Sequence, residues 1–302
     1  MLRNYLNYSG SKDRIYPTIR KHLKRAVGRN KNKTLVDMFC GSAVVTINSL
    51  DLFETLVAVD ACEELIRIHT WVRYLPIEDI LTDIDIIISN YGLSKDNKEG
   101  FLKLRTDYNR LRVEQGIINV PMLYCLITHA YNYMLHTNKS GEFNAPSGAG
   151  RSYFNSSLKQ KLINCKQHIT DVMSSKQKKI LIYTTSDYMD MIKRLNTDDF
   201  ENAVFYADPP YSACISKHPY RVGNIKWTAD EDRKLFECLD YIHNNGGKFI
   251  LSNVTANNGV YNIPLKNWAR SYVVNPIEVS YQNSSYQRKN NGKTEEVLIT
   301  NF

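Results

Sequence analysis

The sequence contains no closely spaced cysteine pair. Its six cysteines are scattered over 302 residues, and none has a second cysteine or a histidine at metal-ligand spacing. Disulfide frameworks and structural zinc sites depend on such spacing. We therefore expect reduced thiols, a cytoplasmic location and no metal site. The positions are Cys40, Cys62, Cys125, Cys165, Cys214 and Cys238.

Long apolar segments are also missing. A membrane-spanning helix needs about 20 consecutive apolar residues, and no run approaches that length. The first eight residues, Met1–Tyr8, have no apolar core of the kind found in secretion signals. We therefore expect a soluble protein without a membrane partner.

Acidic residues are absent from the stretch Arg20–Lys33, which is rich in lysine and arginine, and the whole chain carries a formal net charge of +8. A polyanion is the natural partner for a basic excess. A solvated basic helix end explains this run as well, and for the run alone we favour that interpretation. Hydrophobic residues make up 43% of the chain, enough for the core of one large domain or two.

The first 65 residues have the pattern of a βαβ unit. Leu35–Ala43 predicts a strand, a tight turn at Gly41 and the start of a helix. Leu56–Asp60 predicts a second strand that ends in an acid. The acid follows the glycine turn by about 20 residues, the spacing at which a carboxylate meets a ribose.

Helical and turn-rich segments follow. Helical spacing is found from Phe101 to Leu111 and from Pro121 to Leu135, and a polar, glycine-containing stretch from His136 to Asn155 predicts a hairpin-like loop. Residues 230–243 predict a further helix. A sheet interrupted by a helical insertion accounts for this order. Later strands are predicted at 180–183, 203–207, 248–253, 272–274, 277–281 and 297–300.

The most specific motif is Asp208-Pro209-Pro210-Tyr211, which follows an apolar run. The run predicts a buried strand that stops in a rigid turn, because proline fixes φ. Such strand ends face the ligand crevice of an α/β sheet. The Asp208 carboxylate and the Pro209 carbonyl suit the N–H groups of an exocyclic amine, and Tyr211 suits its ring. A proline turn with an incidental acid is the alternative.

The Gly41 turn lacks the Gly-x-Gly-x-x-Gly pattern and a Walker lysine, so it favours a smaller nucleoside cofactor over a dinucleotide or ATP. S-adenosylmethionine matches this pattern. The residues expected around it are Phe39–Ala43 at its amino-acid end, Asp37 and Asp208 at the sulfonium, Asp60 at the ribose, and Asp187 with Tyr188 at the adenine.

A series of boxes occurs in one order along nearly the whole chain: Tyr8–Lys12, Val36–Gly41, Leu93–Lys95, Phe101–Arg105, Asp107–Asn109, Asn138–Gly148, Asp208–Tyr211, Leu251–Val254 and Lys293–Val297. In these boxes the sequence resembles the Dam-type (class α, D12) DNA adenine-N6 methyltransferases, especially small bacteriophage-encoded members. A phage origin would place the protein in the host cytoplasm.

The resemblance implies an α/β fold, in which a Rossmann-like methyltransferase sheet (1–65 and 178–302) carries an inserted helical target-recognition domain (66–177) with a β-hairpin. It also implies S-adenosylmethionine as cofactor, double-stranded DNA as partner, and neither a metal nor an obligatory protein partner. The implied catalytic residues are Asp208, Pro209, Pro210 and Tyr211. The implied cofactor residues are Tyr8, Lys12, Asp37, Phe39, Gly41, Ser42, Asp60, Asp187, Tyr188 and Asp208.

The residues expected to contact DNA are Tyr131, Asn132, His136, Asn138 and Arg151. His136 stands where small phage members often have arginine, and the Gly148–Arg151 stretch delays the basic residue by one position. GATC is the usual target of the family, and these departures leave the target of this chain open.

Two other functions fit the same residues. One is methylation of RNA adenine or another planar amine, which the acid at position 208 and the DNA-type hairpin disfavour. The other is a catalytically silent DNA-binding protein, which the intact Asp37, Asp60 and Asp208 disfavour. A further hypothesis is that the loop 212–227, with Lys217, Arg221 and Lys226, closes over the flipped base or the DNA backbone; a surface loop without contacts is nearly as good an explanation.

Overall fold

A mostly parallel sheet organises the chain. The computed structural model describes residues 1–7, 10–28, 33–175, 179–211, 221–222, 225–277 and 294–302, with only the backbone at 221–222 and 225–226. The strands are β1 (Thr34–Asp37), β2 (Thr55–Asp60), β3 (Ile180–Thr185), β4 (Ala203–Ala207), β5 (Arg221–Val222), β6 (Ile225–Lys226), β7 (Lys248–Asn257), β8 (Val260–Tyr261), β9 (Val273–Ile277) and β10 (Thr294–Thr300).

The strand order creates a switch point at the centre of the sheet. The order is β3-β2-β1-β4-β7-β10-β9, with β8 paired to β7, while β5 and β6 form a separate pair. Strands β3, β2, β1, β4 and β7 are parallel, and β10 is antiparallel to both neighbours. Strands β1, β2 and β3 lie side by side in chain order, from the centre of the sheet to its edge. The chain then returns to the centre, and β4 lies on the other side of β1. Ligands of such sheets bind where the order reverses, at the carboxyl ends of the strands.

Both faces of the sheet are buried at its central strands, which explains their near-continuous apolar sequences. In β4, Val204 and Tyr206 pack into one core cluster, and Ala203, Phe205 and Ala207 pack into the other. Successive strand residues point to opposite faces, so a strand covered on both sides must be apolar at every position. The prediction of a buried strand at 203–207 is confirmed.

The helices cover the two faces. Those contributing to the first cluster are α1 (Tyr16–Val27), α2 (Val44–Asn48), α3 (Glu63–Tyr74), α4 (Ile77–Tyr91), α5 (Lys98–Glu114), α6 (Val120–His129) and α7 (Ser156–Met173). Those contributing to the second are α8 (Tyr188–Ile192), α9 (Thr197–Glu201), α10 (Ala229–Asn244) and α11 (Ile263–Trp268).

Asparagine caps define the starts of three helices between β2 and β3. The side chains of Asn97, Asn119 and Asn155 accept hydrogen bonds from backbone N–H groups in the first turns of α5, α6 and α7. Each cap satisfies a donor that has no partner within the helix. Helices α4 to α7 lie between β2 and β3 in the chain and correspond to the helical insertion that the sequence predicts. Its assignment as a target-recognition domain stays a prediction, and the predicted boundary at residue 65 lies inside α3.

Two elements differ from the sequence-based expectation, and a third observation agrees with the interpretation that the sequence favours. Helix α6 ends at His129 instead of Leu135, because Ala130 is extended and Asn132 has a left-handed backbone (φ 53°). The strand predicted at 272–274 continues to Ile277, so the two predicted strands meet in β9, and the residues that follow lie outside the described ranges. In the basic stretch, Arg20 pairs with Asp51 at 2.5 Å, which favours the interpretation as an ordinary helix surface.

Within the described ranges, no helix combines the length and apolar character needed to cross a membrane.

The contact between α4 and α5 gives a stability test. A Cβ atom at Gly100 would lie 2.1 Å from the carbonyl oxygen of Tyr91. Alanine normally stabilises a helix interior by about 1 kcal/mol relative to glycine. Here the clash would force the helices apart, so we expect Gly100→Ala to lower the free energy of unfolding by about 1–3 kcal/mol in urea titrations. Exposed Lys98→Ala is the control; a Gly100→Ala protein as stable as wild type would contradict the packing.

Candidate active site

A cavity of about 410 Å³ lies at the switch point, over the carboxyl ends of the strands. Among the residues predicted from the sequence, its walls contain Lys12, Asp37, Phe39, Gly41, Ser42, Asp60, Asp187, Tyr188, Asp208, Pro209, Pro210 and Tyr211. Tyr8 lies outside the described residues. The structure thus brings together residues that four neighbouring strands supply.

The Gly41 turn is fixed from both sides. Its N–H donates to Asp60 Oδ2 at 2.9 Å, and the Cys62 N–H donates to Asp60 Oδ1 at 2.9 Å. Nε2 of buried His69 donates to the Gly41 carbonyl at 2.8 Å. Burial lowers the pKa of His69 to about 4, so the ring is neutral. Gly41 has φ 46°, a left-handed backbone that glycine adopts without strain. The backbone of this turn is therefore held in one conformation at the cavity wall.

Asp37 presents an unsatisfied acceptor. Its Oδ2 accepts from Thr46 Oγ1 at 2.6 Å, while Oδ1 is buried and has no hydrogen-bond partner among the described residues. Burial raises the pKa of Asp37 to about 7, and the charges of Asp208 and Asp60 add to this shift. Burial likewise raises the pKa of Asp60. A cavity walled by buried and half-buried acids suits a ligand that carries positive charge and hydrogen-bond donors.

Three aromatic rings form one part of the wall. The ring centroids of Phe39 and Tyr188 are 5.0 Å apart, and Trp227 lies 5.6 Å from Phe39 and 6.3 Å from Tyr188. Trp227 Nε1 donates to Asp232 Oδ1 at 2.8 Å, which fixes the indole ring. These rings suit a flat heterocycle. The sequence placed Trp227 only at the end of the loop expected to close over the flipped base or the DNA backbone, since no spacing links it to Phe39 or Tyr188.

Lys12 joins the Asp208 corner to the N-terminal segment. Its Nζ lies 2.9 Å from Asp208 Oδ1 and donates to the Tyr211 hydroxyl at 2.7 Å. Burial raises the pKa of Asp208 to about 6, and Lys12 opposes that shift. Asp208 is therefore largely ionised at neutral pH and offers a carboxylate acceptor beside the rigid Pro209–Pro210 turn.

Glu296 is a further member of this corner that sequence reasoning missed. The Tyr211 hydroxyl donates to Glu296 Oε1 at 3.2 Å, and Lys12 Nζ lies 3.4 Å from the same oxygen. A register shift in the β10–β7 pairing falls between Glu295 and Glu296. Such bulges re-aim side chains near functional sites. The box 293–297 belongs to the family pattern, but nothing in it indicated a contact with Lys12.

The predicted DNA-contact residues form a second group, and none of the five lines the cavity. Tyr131 and Asn132 lie in a 3-10 turn, and the guanidinium carbon of Arg151 lies 5.8 Å from the Tyr131 ring centroid. His136 Nδ1 contacts Asn144 Oδ1 across the base of a hairpin-like turn.

The Asn138 side chain forms hydrogen bonds within that turn. Its Oδ1 accepts from the N–H groups of Ser140 and Glu142, at 2.9 and 3.0 Å. Its Nδ2 donates to the Glu142 carboxylate at 2.5 Å. The side chain therefore shapes the hairpin, and its contact with DNA stays a prediction. Of the loop predicted to close over the site, residues 212–220 and 223–224 lie outside the described ranges.

Within the described ranges, no group of three or more histidine, cysteine, aspartate or glutamate side chains is arranged to hold a metal ion.

The raised pKa of Asp37 predicts a pH dependence of stability. Because its folded-state pKa of about 7 lies above the unfolded value of 3.8, the folded protein binds more protons between about pH 4 and 7. Its contribution to the free energy of unfolding therefore falls as pH rises through that interval, by up to about 1.4 kcal/mol per pH unit.

Asp37→Asn removes this contribution and keeps an acceptor for Thr46. Urea titrations between pH 4.5 and 7.5 should show a smaller decrease in unfolding free energy for Asp37→Asn than for wild type. Asp208 and Asp60 contribute to the pH dependence of the unfolding free energy in both Asp37→Asn and wild type. The exposed-site variant Asp79→Asn should follow wild type. Parallel curves for Asp37→Asn and wild type would contradict the raised pKa.

Comparison with known sequences shows which protein family the chain belongs to. Residues 8–284 match the profile of the family described as D12 class N6 adenine-specific DNA methyltransferase. The whole chain is 30% identical to the type II methyltransferase M.FokI of Planomicrobium okeanokoites and 31% identical to the modification methylase StsI of Streptococcus sanguinis. The chain spans 43% of the length of each of these relatives.

A third relative matches at nearly full length. The chain is 23% identical to the type II methyltransferase M.MjaIII of Methanocaldococcus jannaschii, over 83% of this chain and 84% of the relative. A bacteriophage origin stays a prediction. The family match includes the Gly41 turn, the hairpin and the Asp208 corner. The chain belongs to the D12 class N6 adenine-specific DNA methyltransferase family.

Proposed function

We propose that this chain transfers the methyl group of S-adenosylmethionine to N6 of an adenine at a specific site in double-stranded DNA. The observation that carries the proposal is one cavity whose walls contain the buried Asp37, the half-buried Asp60 and the Asp208–Pro209 corner. A cationic nucleoside and a planar amine could therefore meet at the same switch point.

The residues of the cavity wall support S-adenosylmethionine as the cofactor. When bound, S-adenosylmethionine supplies an electrophilic methyl group on a positively charged sulfur. The unpartnered Oδ1 of Asp37 would accept a hydrogen bond or face positive charge at its amino-acid end. Asp60 would hold the ribose hydroxyls, and the rings of Phe39, Tyr188 and Trp227 would enclose the adenine.

The corner at the end of β4 would hold the target base. Lys12 occupies Asp208 Oδ1, which leaves Oδ2 for an N6 hydrogen, and the Pro209 carbonyl would accept the other. Tyr211, fixed through its hydroxyl by Lys12 and Glu296, would stack on the purine. An adenine within a duplex cannot reach a recessed corner, so it would be flipped out at a cost of a few kcal/mol.

The acceptor pair would activate the amino group. The N6 lone pair of adenine is delocalised into the ring, and this makes the nitrogen a weak nucleophile. Two acceptors at fixed positions favour a pyramidal nitrogen whose lone pair points out of the ring plane. S-adenosylmethionine would supply the methyl group to this nitrogen, its sulfur would leave as a neutral thioether, and the proton that N6 loses would pass to solvent. No covalent bond to the enzyme is needed.

Residues 66–177 would read the target. Asn138 shapes the hairpin turn, and the Arg151 guanidinium carbon lies 5.8 Å from the Tyr131 ring centroid. Arginine pairs with two acceptors of guanine in the major groove. GATC is the usual target of the family that the sequence resembles, but His136 and the delayed Arg151 depart from its pattern, so we do not assign GATC to this chain.

The first test of the proposal removes the carboxylate. Asp208→Ala should lower the rate of methyl transfer to duplex DNA by about 10²–10³-fold, because a preorganised acceptor is lost. DNA affinity should stay within a few-fold of wild type. Transfer is measured as N6-methyladenine by mass spectrometry in single turnovers, with Asp79→Ala as the control.

Unchanged methylation by Asp208→Ala would refute the catalytic assignment. Duplex DNA and RNA of the same sequence are compared as substrates, and preferential methylation of RNA would replace the DNA proposal with the RNA alternative. Wild-type protein that binds DNA and methylates neither nucleic acid would support a silent DNA-binding homologue.

A second test concerns Arg151. The Arg151 guanidinium can donate two hydrogen bonds to one guanine. If it does so, both Arg151→Lys and Arg151→Ala should lose about 1–3 kcal/mol of selectivity between the target and a single-base variant of it. The target is found by sequencing N6-methyladenine in DNA after expression, and selectivity is the ratio of kcat/KM values. Full selectivity in Arg151→Lys with uniformly weaker binding in Arg151→Ala would indicate a phosphate contact instead.

A further inference from the structure

A second cleft opens beside the catalytic cavity. It has a volume of about 460 Å³, and it shares Gly10, Lys12, Tyr211, Val254 and Thr294 with the cavity wall. Its remaining walls contain Arg3, Ser11, Asp13, Arg14, Ile15 and Glu296. Asp37 and Asp60, at the proposed cofactor end, line only the cavity. Lys12 and Tyr211 therefore stand between the two spaces.

Hydrogen bonds fix this partition. Lys12 Nζ lies 2.9 Å from Asp208 Oδ1, 2.7 Å from the Tyr211 hydroxyl and 3.4 Å from Glu296 Oε1. The contacts with Asp208 and Tyr211 are hydrogen bonds, and the contact with Glu296 is an ion pair. The Tyr211 hydroxyl in turn donates to Glu296. The partition is therefore a rigid feature next to the corner proposed for the target base.

The cleft offers positive charge to a ligand. Arg3 and Arg14 are exposed, and neither forms an ion pair within the described ranges. The acids of the cleft face their own neighbours. Asp13 accepts from the Asn4 N–H and from Ser11 Oγ, both at 3.0 Å, and Glu296 contacts Lys12 and Tyr211. The cleft is lined by three cations, Arg3, Lys12 and Arg14, and two acids, Asp13 and Glu296, so cations outnumber acids by one.

We propose that this cleft binds the sugar-phosphate backbone of the strand that carries the target adenine, with Arg3 and Arg14 contacting the phosphates beside it. The inference rests on the proposed function. A base held at Asp208 and Tyr211 remains linked to its sugar, so its backbone must lie in a space continuous with that corner. The cleft is such a space, on the side away from Asp37 and Asp60. Guanidinium forks match phosphate oxygens in shape and charge.

The test measures the affinity for a duplex oligonucleotide over a range of salt concentrations. Neutralising one phosphate contributes about 0.9 to the slope of log K against log salt, because counterions are released. We expect Arg3→Ala and Arg14→Ala each to reduce the slope by about one and to raise KM for DNA. The affinity for S-adenosylmethionine should not change. Exposed Arg270→Ala, which lines neither space, should behave as wild type.

A charge-preserving pair separates charge from folding. The double variant Arg3→Lys/Arg14→Lys should keep the wild-type slope, and Arg3→Gln/Arg14→Gln should lose about two from it, with equal thermal unfolding. An unchanged slope in the glutamine pair, or the same loss in the lysine pair, would overturn the phosphate assignment. Wild-type protein that binds DNA but does not methylate it would instead count against the proposed function, since the salt slope does not depend on transfer.

Discussion

The ion pair between Lys12 and Asp208 is the contact on which the site depends. Burial raises the pKa of Asp208, and without a nearby cation this carboxyl would be protonated near neutral pH. It would then donate a hydrogen bond where the proposed methyl transfer needs an acceptor. Burial alone would lower the pKa of Lys12, but Asp208 and the other neighbouring groups raise it well above its usual range. Each partner therefore keeps the other charged in a recessed corner.

The topology explains why so much negative charge collects in one place. Asp37, Asp60, Asp187 and Asp208 end, or directly follow, four strands that are neighbours in the sheet. Parallel strands bring their carboxyl ends to a single edge, so acids far apart in sequence become one wall. Burial raises the pKa values of Asp37, Asp60 and Asp208, and together these acids favour a cationic ligand. The same acids would serve binding at one end of the cavity and catalysis at the other.

The sequence predicted those features of the site that depend on residues close together in the chain. The strand before Asp208 and the Gly41 turn were predictable, because periodicity and glycine chemistry act within a few residues. Trp227 and Glu296 were not, since their contacts with Tyr188 and Lys12 arise from folding and leave no spacing signal. The end of α6 was misjudged because an apolar, helical pattern continues past Ala130, where the backbone becomes extended to pair with Ser147.

A crystal structure of the protein with a non-transferable analogue of S-adenosylmethionine and a duplex containing its target tests the central claim most directly. The account predicts an extruded adenine whose N6 lies within hydrogen-bond distance of the Asp208 carboxylate and the Pro209 carbonyl, with the analogue's sulfonium-equivalent atom on the Asp37 side. A stacked adenine, or a flipped one held by other side chains too far from the analogue for methyl transfer, would contradict it.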